Sequence, residues 1–207
     1  MNRLFIFLLS LFMLLNLSAQ EFTPDLSSWP VKIIEEARKA SFHPQCAQVS
    51  NEVVFYTNLA RMDGTRFVQT ILKPYCEYVG DTAFSPYLQG LITVLYDKGH
   101  QPPLKHDLTL AMMAKAYATS AGKKGIEGHR RFEQRFWMMI RTRKAVGENC
   151  SYGIASPLGV VIQLLVDEGV HGVGHRKNML SKKFGRIGVG FAPHSSYGIN
   201  CVQEFSR

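Results

Sequence analysis

The chain opens on a block of apolar positions and then breaks into periodic segments. Leu4 to Leu15 is apolar except for Ser10, follows a basic start at Arg3, and gives way to Asn16-Leu17-Ser18-Ala19. A basic start, a short apolar run and small residues before Gln20 form the pattern of a secretory signal peptide. A membrane-spanning helix needs roughly twenty apolar residues, and this run is shorter, as is every later one. No cysteine follows the small residues, so a bacterial lipid-anchor signal is absent. The expectation is a signal peptide over residues 1–19 and an exported protein, periplasmic or extracellular, with no transmembrane segment after cleavage.

Beyond that block the apolar positions take helical spacing. Pro30 stands at a first helical position before Val31 to Ala40. Ser50 is placed to cap a helix from Asn51 to Met62, and Thr65 to cap another that ends near Gly80. Ser85-Pro86 starts a helix whose stripe is Leu88, Leu91, Ile92 and Leu95. Asp107 caps a helix from Leu108 to about Ser120, rich in alanines that let it lie close to a neighbour. Residues 123–145 read as a charged loop with an apolar patch at Phe132, Phe136, Trp137, Met138 and Ile140.

From Ala145 the pattern changes. Val146 to Tyr152 reads as a strand, and Ser156-Pro157 opens a helix that turns Val160, Val161, Leu164 and Leu165 inward and closes at Gly169. Ile187, Val189 and Phe191 alternate with Gly188 and Gly190, which is strand spacing, and Gly198 to Phe205 returns as a hairpin partner. Helices on both sides of a small, mainly antiparallel sheet predict an α/β fold built as a three-layer α-β-α sandwich. Residues 20–50 form a helical N-terminal extension and 51–207 the main domain. No internal repeat or low-complexity linker interrupts it.

Composition narrows the partners. The formal charge of +8 is carried largely by Lys123-Lys124, Arg130-Arg131, Arg135 and Arg141 to Lys144. Attraction to an anionic surface is one reading and a solvated helix and loop the other; no nucleic-acid motif is present. Four cysteines, at 46, 76, 150 and 201, suggest two disulfides in an exported chain. Three pairings are possible, and pairing within Cys46/Cys76 and within Cys150/Cys201 is the expectation. Their spacing matches no zinc cluster.

Four polar segments stand between the periodic elements: Gly128-His129, Gly147-Glu148-Asn149, Asp167-Glu168-Gly169, and Gly174-His175-Arg176-Lys177-Asn178-Met179-Leu180. Each sets a histidine or carboxylate beside glycine, where backbone can approach a cleft closely. Taken in order with the helices between them and with Phe184-Gly185-Arg186-Ile187-Gly188-Val189-Gly190, they resemble the CAP superfamily of cysteine-rich secretory, antigen 5 and pathogenesis-related proteins, in its microbial branch. The resemblance is firmest over 91–205 and extends to Asn58-Leu59-Ala60-Arg61. It implies a CAP-type sandwich and a cleft lined by two histidines and two acids, which in some members hold a divalent metal. Carried over, these are His129, His175, Glu148 and either Glu168 or Asp167, with Glu168 slightly preferred. Glu168 lies only seven positions before His175, so the longer connection of animal and plant members is missing. Their Gly-His-Tyr-Thr-Gln motif is replaced by Gly174-His175-Arg176-Lys177-Asn178.

Two imidazoles and a carboxylate suit zinc or another divalent metal, with a position left open for ligand. Without metal the same groups form a hydrogen-bonded network. His171 and His175 are four apart, but Gly172 and Gly174 argue against one helical face. His43, His100, His106 and His194 stand by prolines or turns and are expected exposed. Arg176 and Lys177 are read as caps or ion-pair partners. Asn149-Cys150-Ser151 is a glycosylation triplet, but in a strand, where modification is not expected. The leading expectation is a cleft that binds a metal and/or a small, lipid-like or peptide ligand. The alternatives are a hydrolase, using metal-bound water with Glu148 or Glu168, or Ser151 or Ser156 with His129 or His175, and an interaction protein whose polar cluster is structural. No Gly-x-Ser-x-Gly or His-Glu-x-x-His motif supports the hydrolase.

Overall fold

The computed structural model describes residues 22–80, 85–142 and 145–207; the expected signal peptide, 1–19, lies outside the described residues. Helix α1 (Val31–Ser41) buries Ala37 against α2 (Gln48–Met62), and Trp29, just before it, joins the same core. Asp63, not Thr65, caps the next helix, its carboxylate accepting from Arg66 N at 2.9 Å. That helix runs as α3 (Gly64–Phe67), a π-helical turn (Val68–Leu72) and α4 (Lys73–Tyr78). Pro74 lacks an N–H and crowds the preceding turn, and the wider turn just before it accommodates the ring. Ser85 caps α5 (Pro86–Asp97) and Asp107 caps α6 (Leu108–Lys123), as their sequences predict.

The sheet has the order β1-β3-β4-β2, from β1 (Lys105–His106), β2 (Val146–Tyr152), β3 (Arg186–His194) and β4 (Gly198–Ser206). Only the β1–β3 pair is parallel. Two residues are too few to show a period, so β1 is invisible in the sequence. On one face α6 lies across β3 and β4; on the other, α2 packs on β3 and α8 (Pro157–Val166) on β2 and α2. The three-layer sandwich is therefore the observed architecture. Gly188 and Gly190 permit the close approach of α6, because a Cβ at either would collide with backbone at Leu110–Ala111 or Ala114–Lys115.

Ser50 lies inside α2 and does not cap it, and three further expectations fail. Residues Phe132–Thr142 form a helix, α7, where a loop was read. Its charges mask an inward stripe of Phe132, Phe136 and Met139 that packs with Leu110 and Met113 beneath the sheet. His106 and His194 are buried, not exposed. The His106 ring binds Asn51 Oδ1 at 2.8 Å and Ser41 O at 3.1 Å, tying the N-terminal helices to the sheet edge, and its burial lowers its pKa to about 4. Neither of the two expected disulfides is present among the described residues. The pairs across β2–β4 are Cys150↔Val202 and Ser151↔Cys201. Cys150 and Cys201 thus stand one register position apart and face opposite sides of the sheet, Cys150 towards α6 and Cys201 towards the α2/α8 core. Cys46 borders a groove beside α6 and β3, whereas Cys76 is packed in the core on α4.

Candidate functional site

Strand β2 carries the centre of the site. Its alternation turns Glu148 and Cys150 towards α6 and α7 and Asn149 towards the opposite face. Loop residue His129 is fixed by clamps on both neighbours. Tyr117 Oη donates to Gly128 O at 2.6 Å and accepts from Arg130 N at 3.0 Å, while Gly128 N donates to Tyr152 Oη at 2.8 Å. So held, His129 directs Nδ1 at Glu148 Oε1, 2.8 Å away.

Arg135, from α7, takes the rest of that carboxylate. Its Nη1 donates to Glu148 Oε2 at 2.5 Å and its Nη2 to Oε1 at 2.9 Å, and Nη1 also reaches Glu204 Oε1 at 3.2 Å. The guanidinium lies 3.5 Å from the centre of the Tyr117 ring, a cation–π contact that supports its plane. Burial opposes the charge on Glu148, but hydrogen bonds from His129 and Arg135 outweigh it and hold its pKa below the usual value. Glu204, opposite Glu148 in the β2–β4 ladder, has the reverse fate. Its burial, and then the adjacent Glu148 carboxylate, push its pKa up to about 10, so it stays protonated at neutral pH.

The second half is built on backbone. Asp167 ends α8 in the left-handed region, φ 57°. Its carboxylate accepts from His175 N at 2.9 Å, from Arg176 N at 3.4 Å and from His175 Nδ1 at 2.6 Å. His175 sits in the first turn of α9 (Gly174–Met179). Buried Arg176 takes the orphan carbonyls at the end of α8, Leu165 O and Val166 O, each at 2.6 Å. Asn178 Nδ2 donates to Glu148 O and Asn149 Oδ1, and Asn149 Nδ2 to His175 O, sewing α9 to β2.

These contacts bring His129, Glu148, Asp167 and His175 together, with imidazole centres 6.2 Å apart. Glu168 is not part of the group: it stays exposed at the mouth of the adjoining cleft and accepts from Ser85 Oγ at 2.5 Å. That cleft, about 480 Å³, runs from His175 and Asp167 along Ile154, Ile162, Val166 and Val170. His171 lies before α9, so it shares no helical face with His175. Ser151 donates to Gln163 and Ser156 caps α8; among the described residues neither is bonded to His129 or His175. Sequence reasoning missed Arg135 and Glu204. Arg135 was one charge among many, and Glu204 gains meaning only when the strand register puts it opposite Glu148.

The donor set can be tested against a divalent metal. Each imidazole uses Nδ1 on a carboxylate, which leaves Nε2 as the free lone pair and fixes the orientation of a metal-binding histidine. Two imidazoles on one tetrahedral zinc at about 2.0 Å would set their ring centres roughly 5 Å apart, so the 6.2 Å spacing here closes to a zinc pair by about 1 Å of side-chain movement. Glu148 does not fit as a ligand, since Arg135 and His129 occupy both its oxygens. The same guanidinium borders the other candidate group, His129, Glu148 and Cys150, whose ligand atoms lie within 4.8 Å of one another. Cys150 is a poor member, because burial pushes its thiol well above the usual range. The residues fit a two-histidine site with carboxylates behind the rings.

A sandwich of this topology, with paired imidazoles at one end of the sheet, defines a CAP-type domain. The model of the CAP family, the cysteine-rich secretory protein family, matches residues 54–205, and the chain belongs to that family. Its fold is similar to an outer surface protein from Borrelia burgdorferi, at 21% identity and TM-score 0.41, covering 50% of this chain and 77% of that one. It is also similar to an extracellular SCP-domain protein from Bacillus anthracis, at 20% identity and TM-score 0.40, covering 58% and 40%. A cysteine-rich secretory protein from Staphylococcus aureus aligns at 17% identity and TM-score 0.41, covering 58% and 38%. The chain thus spans well under half the length of the last two. No curated protein matches it. No helix among the described residues is long and apolar enough to cross a membrane.

Proposed function

We propose that this CAP-domain protein is an exported binding module in which His129 and His175 hold a divalent cation, zinc by donor type, at the end of the apolar cleft. The observation that carries the reading is the pair of imidazoles, each anchored through Nδ1 by its own carboxylate and 6.2 Å from the other. Export rests on the leader pattern at 1–19. When bound, the cation supplies an electrophilic contact for an oxygen of a small ligand. Glu148 and Asp167 orient the rings and carry the countercharge, while Ile154, Ile162 and Val170 line space for the ligand's apolar part. A lipid-like or peptide ligand with one polar end matches this division. Catalysis has weaker support, because Ser151 and Ser156 are committed to Gln163 and to the α8 cap.

Zinc titration of tag-free protein by calorimetry tests the reading. One site is expected, weakened at least tenfold by His129→Ala or by His175→Ala with the circular dichroism spectrum unchanged. Zinc affinity that survives both substitutions, or no binding by the parent protein, sinks it.

A further inference from the structure

Helix α7 has an outer face that the core does not use. Phe136 and Met139 point inward, while Trp137, Met138 and Ile140 are 53%, 56% and 46% exposed. Arg141 lies among them, its guanidinium carbon 5.9 Å from the centre of the Trp137 ring. Glu133 is the acid of that face. At the start of the helix is a hollow of about 330 Å³, lined by Lys124, Arg130, Arg131 and Arg135 together with Tyr117 and Ser120. No carboxylate lines it among the described residues. Arg135 is committed to Glu148, but among the described residues Lys124, Arg130 and Arg131 have no carboxylate partner there. Arg131 is held at φ 55°, a left-handed conformation in a non-glycine residue just before the helix.

We propose that this hollow and the outer face of α7 form one docking surface for an anionic phospholipid bilayer. The phosphate of a headgroup meets Lys124, Arg130 and Arg131. Trp137, Met138 and Ile140 enter the headgroup boundary beside it, and Arg141 pairs with a second headgroup. Cations just ahead of the helix and Arg141 on it, beside an exposed apolar face, match an interfacial segment in which burial and attraction to anionic lipid act together. A protein partner would favour a flatter apolar patch with fewer unpaired cations at its edge. The proposal rests on the side chains of Lys124, Arg130 and Arg131, whereas Arg130 meets the histidine site only through its main-chain N–H on Tyr117.

Sedimentation of the full-length protein with vesicles tests it, comparing phosphatidylcholine alone with phosphatidylcholine containing about one-third phosphatidylglycerol. Binding is expected only to the anionic vesicles and is lost as salt rises. Arg130→Gln with Arg131→Gln lowers affinity more than tenfold, at about fivefold per charge. The chain has two tryptophans and Trp29 is buried, so a blue shift of emission on binding reports Trp137. Trp137→Ala removes the shift and weakens binding, with the thermal midpoint showing that both variants stay folded. Equal binding to neutral vesicles, or anionic binding that neither variant alters, overturns the proposal. So does suppression of binding by millimolar inorganic phosphate at constant ionic strength, which would assign the hollow to a soluble anion. Self-association without vesicle binding would assign the face to a second copy of the chain.

Discussion

The two halves of the histidine site hold the same type of side chain by different means. His129 depends on charge: its carboxylate is buried in β2 and balanced by Arg135, with a protonated Glu204 behind. His175 depends on backbone: Asp167 accepts two main-chain N–H bonds from the turn that carries the ring. The side chain of His129 is 47% exposed and that of His175 20%. The charge-held ring therefore faces solvent and the backbone-held ring lines the cleft. An ionic strut can sit on separate elements, whereas a backbone cap needs residues close in sequence. That is why the second half is compressed into 167–176 and the first spans 117–204.

The largest effect should come from breaking the ionic half. Glu148→Gln leaves part-buried Arg135 without its anion and should cost about 3 kcal/mol in chemical denaturation, the low end for a broken buried pair. Glu204 limits the loss, since it can ionise once Glu148 is neutral. A cost below about 1 kcal/mol would show that Arg135 is not held by this carboxylate.

Glu204 itself should give an intermediate effect with a definite sign. An unfolded glutamate ionises near 4.5, whereas folded Glu204 keeps its proton to about 10. Between those values the folded state binds the extra proton, so this group makes stability fall as pH rises. Glu204→Gln keeps the hydrogen-bonding shape without the titration. It should flatten the stability profile between pH 5 and 9 and add on the order of 1–3 kcal/mol at pH 8. An unchanged slope would mean that Glu204 is already ionised.

The smallest structural effect belongs to the backbone half. Asp167→Asn keeps a left-handed-tolerant residue and one accepting oxygen, so about 1 kcal/mol is expected. Zinc affinity should nevertheless fall roughly tenfold or more, as for loss of a carboxylate behind a metal-binding imidazole. Glu168→Ala should change neither. Equal effects of the two on zinc would restore the choice between these neighbours that the sequence left open.

Much of the fold was readable because its signals are local. Ser85, Asp107 and Ser156 cap the helices they were assigned, and Gly188 and Gly190 mark β3 by alternation. Helix α7 was misread because a charged surface hides a three-residue inward stripe. The histidines and Glu148 were legible through the family resemblance that their flanking glycines and order along the chain carry. The choice of Asp167 over Glu168 was not, since adjacent acids differ only in where the backbone points them.

The sequence by itself determined the starts of α5, α6 and α8 and the hairpin, because caps and alternation act within a few residues, and its resemblance to the CAP family pointed to the two histidines and Glu148. Tertiary structure alone decided the chemistry of the group. Register set Glu204 opposite Glu148 and turned Cys150 and Cys201 to opposite faces, and helix packing delivered Arg135 to the buried carboxylate. Those outcomes depend on distances between residues far apart in the chain, and on the dry interior they create, where an unpaired charge is too costly to leave.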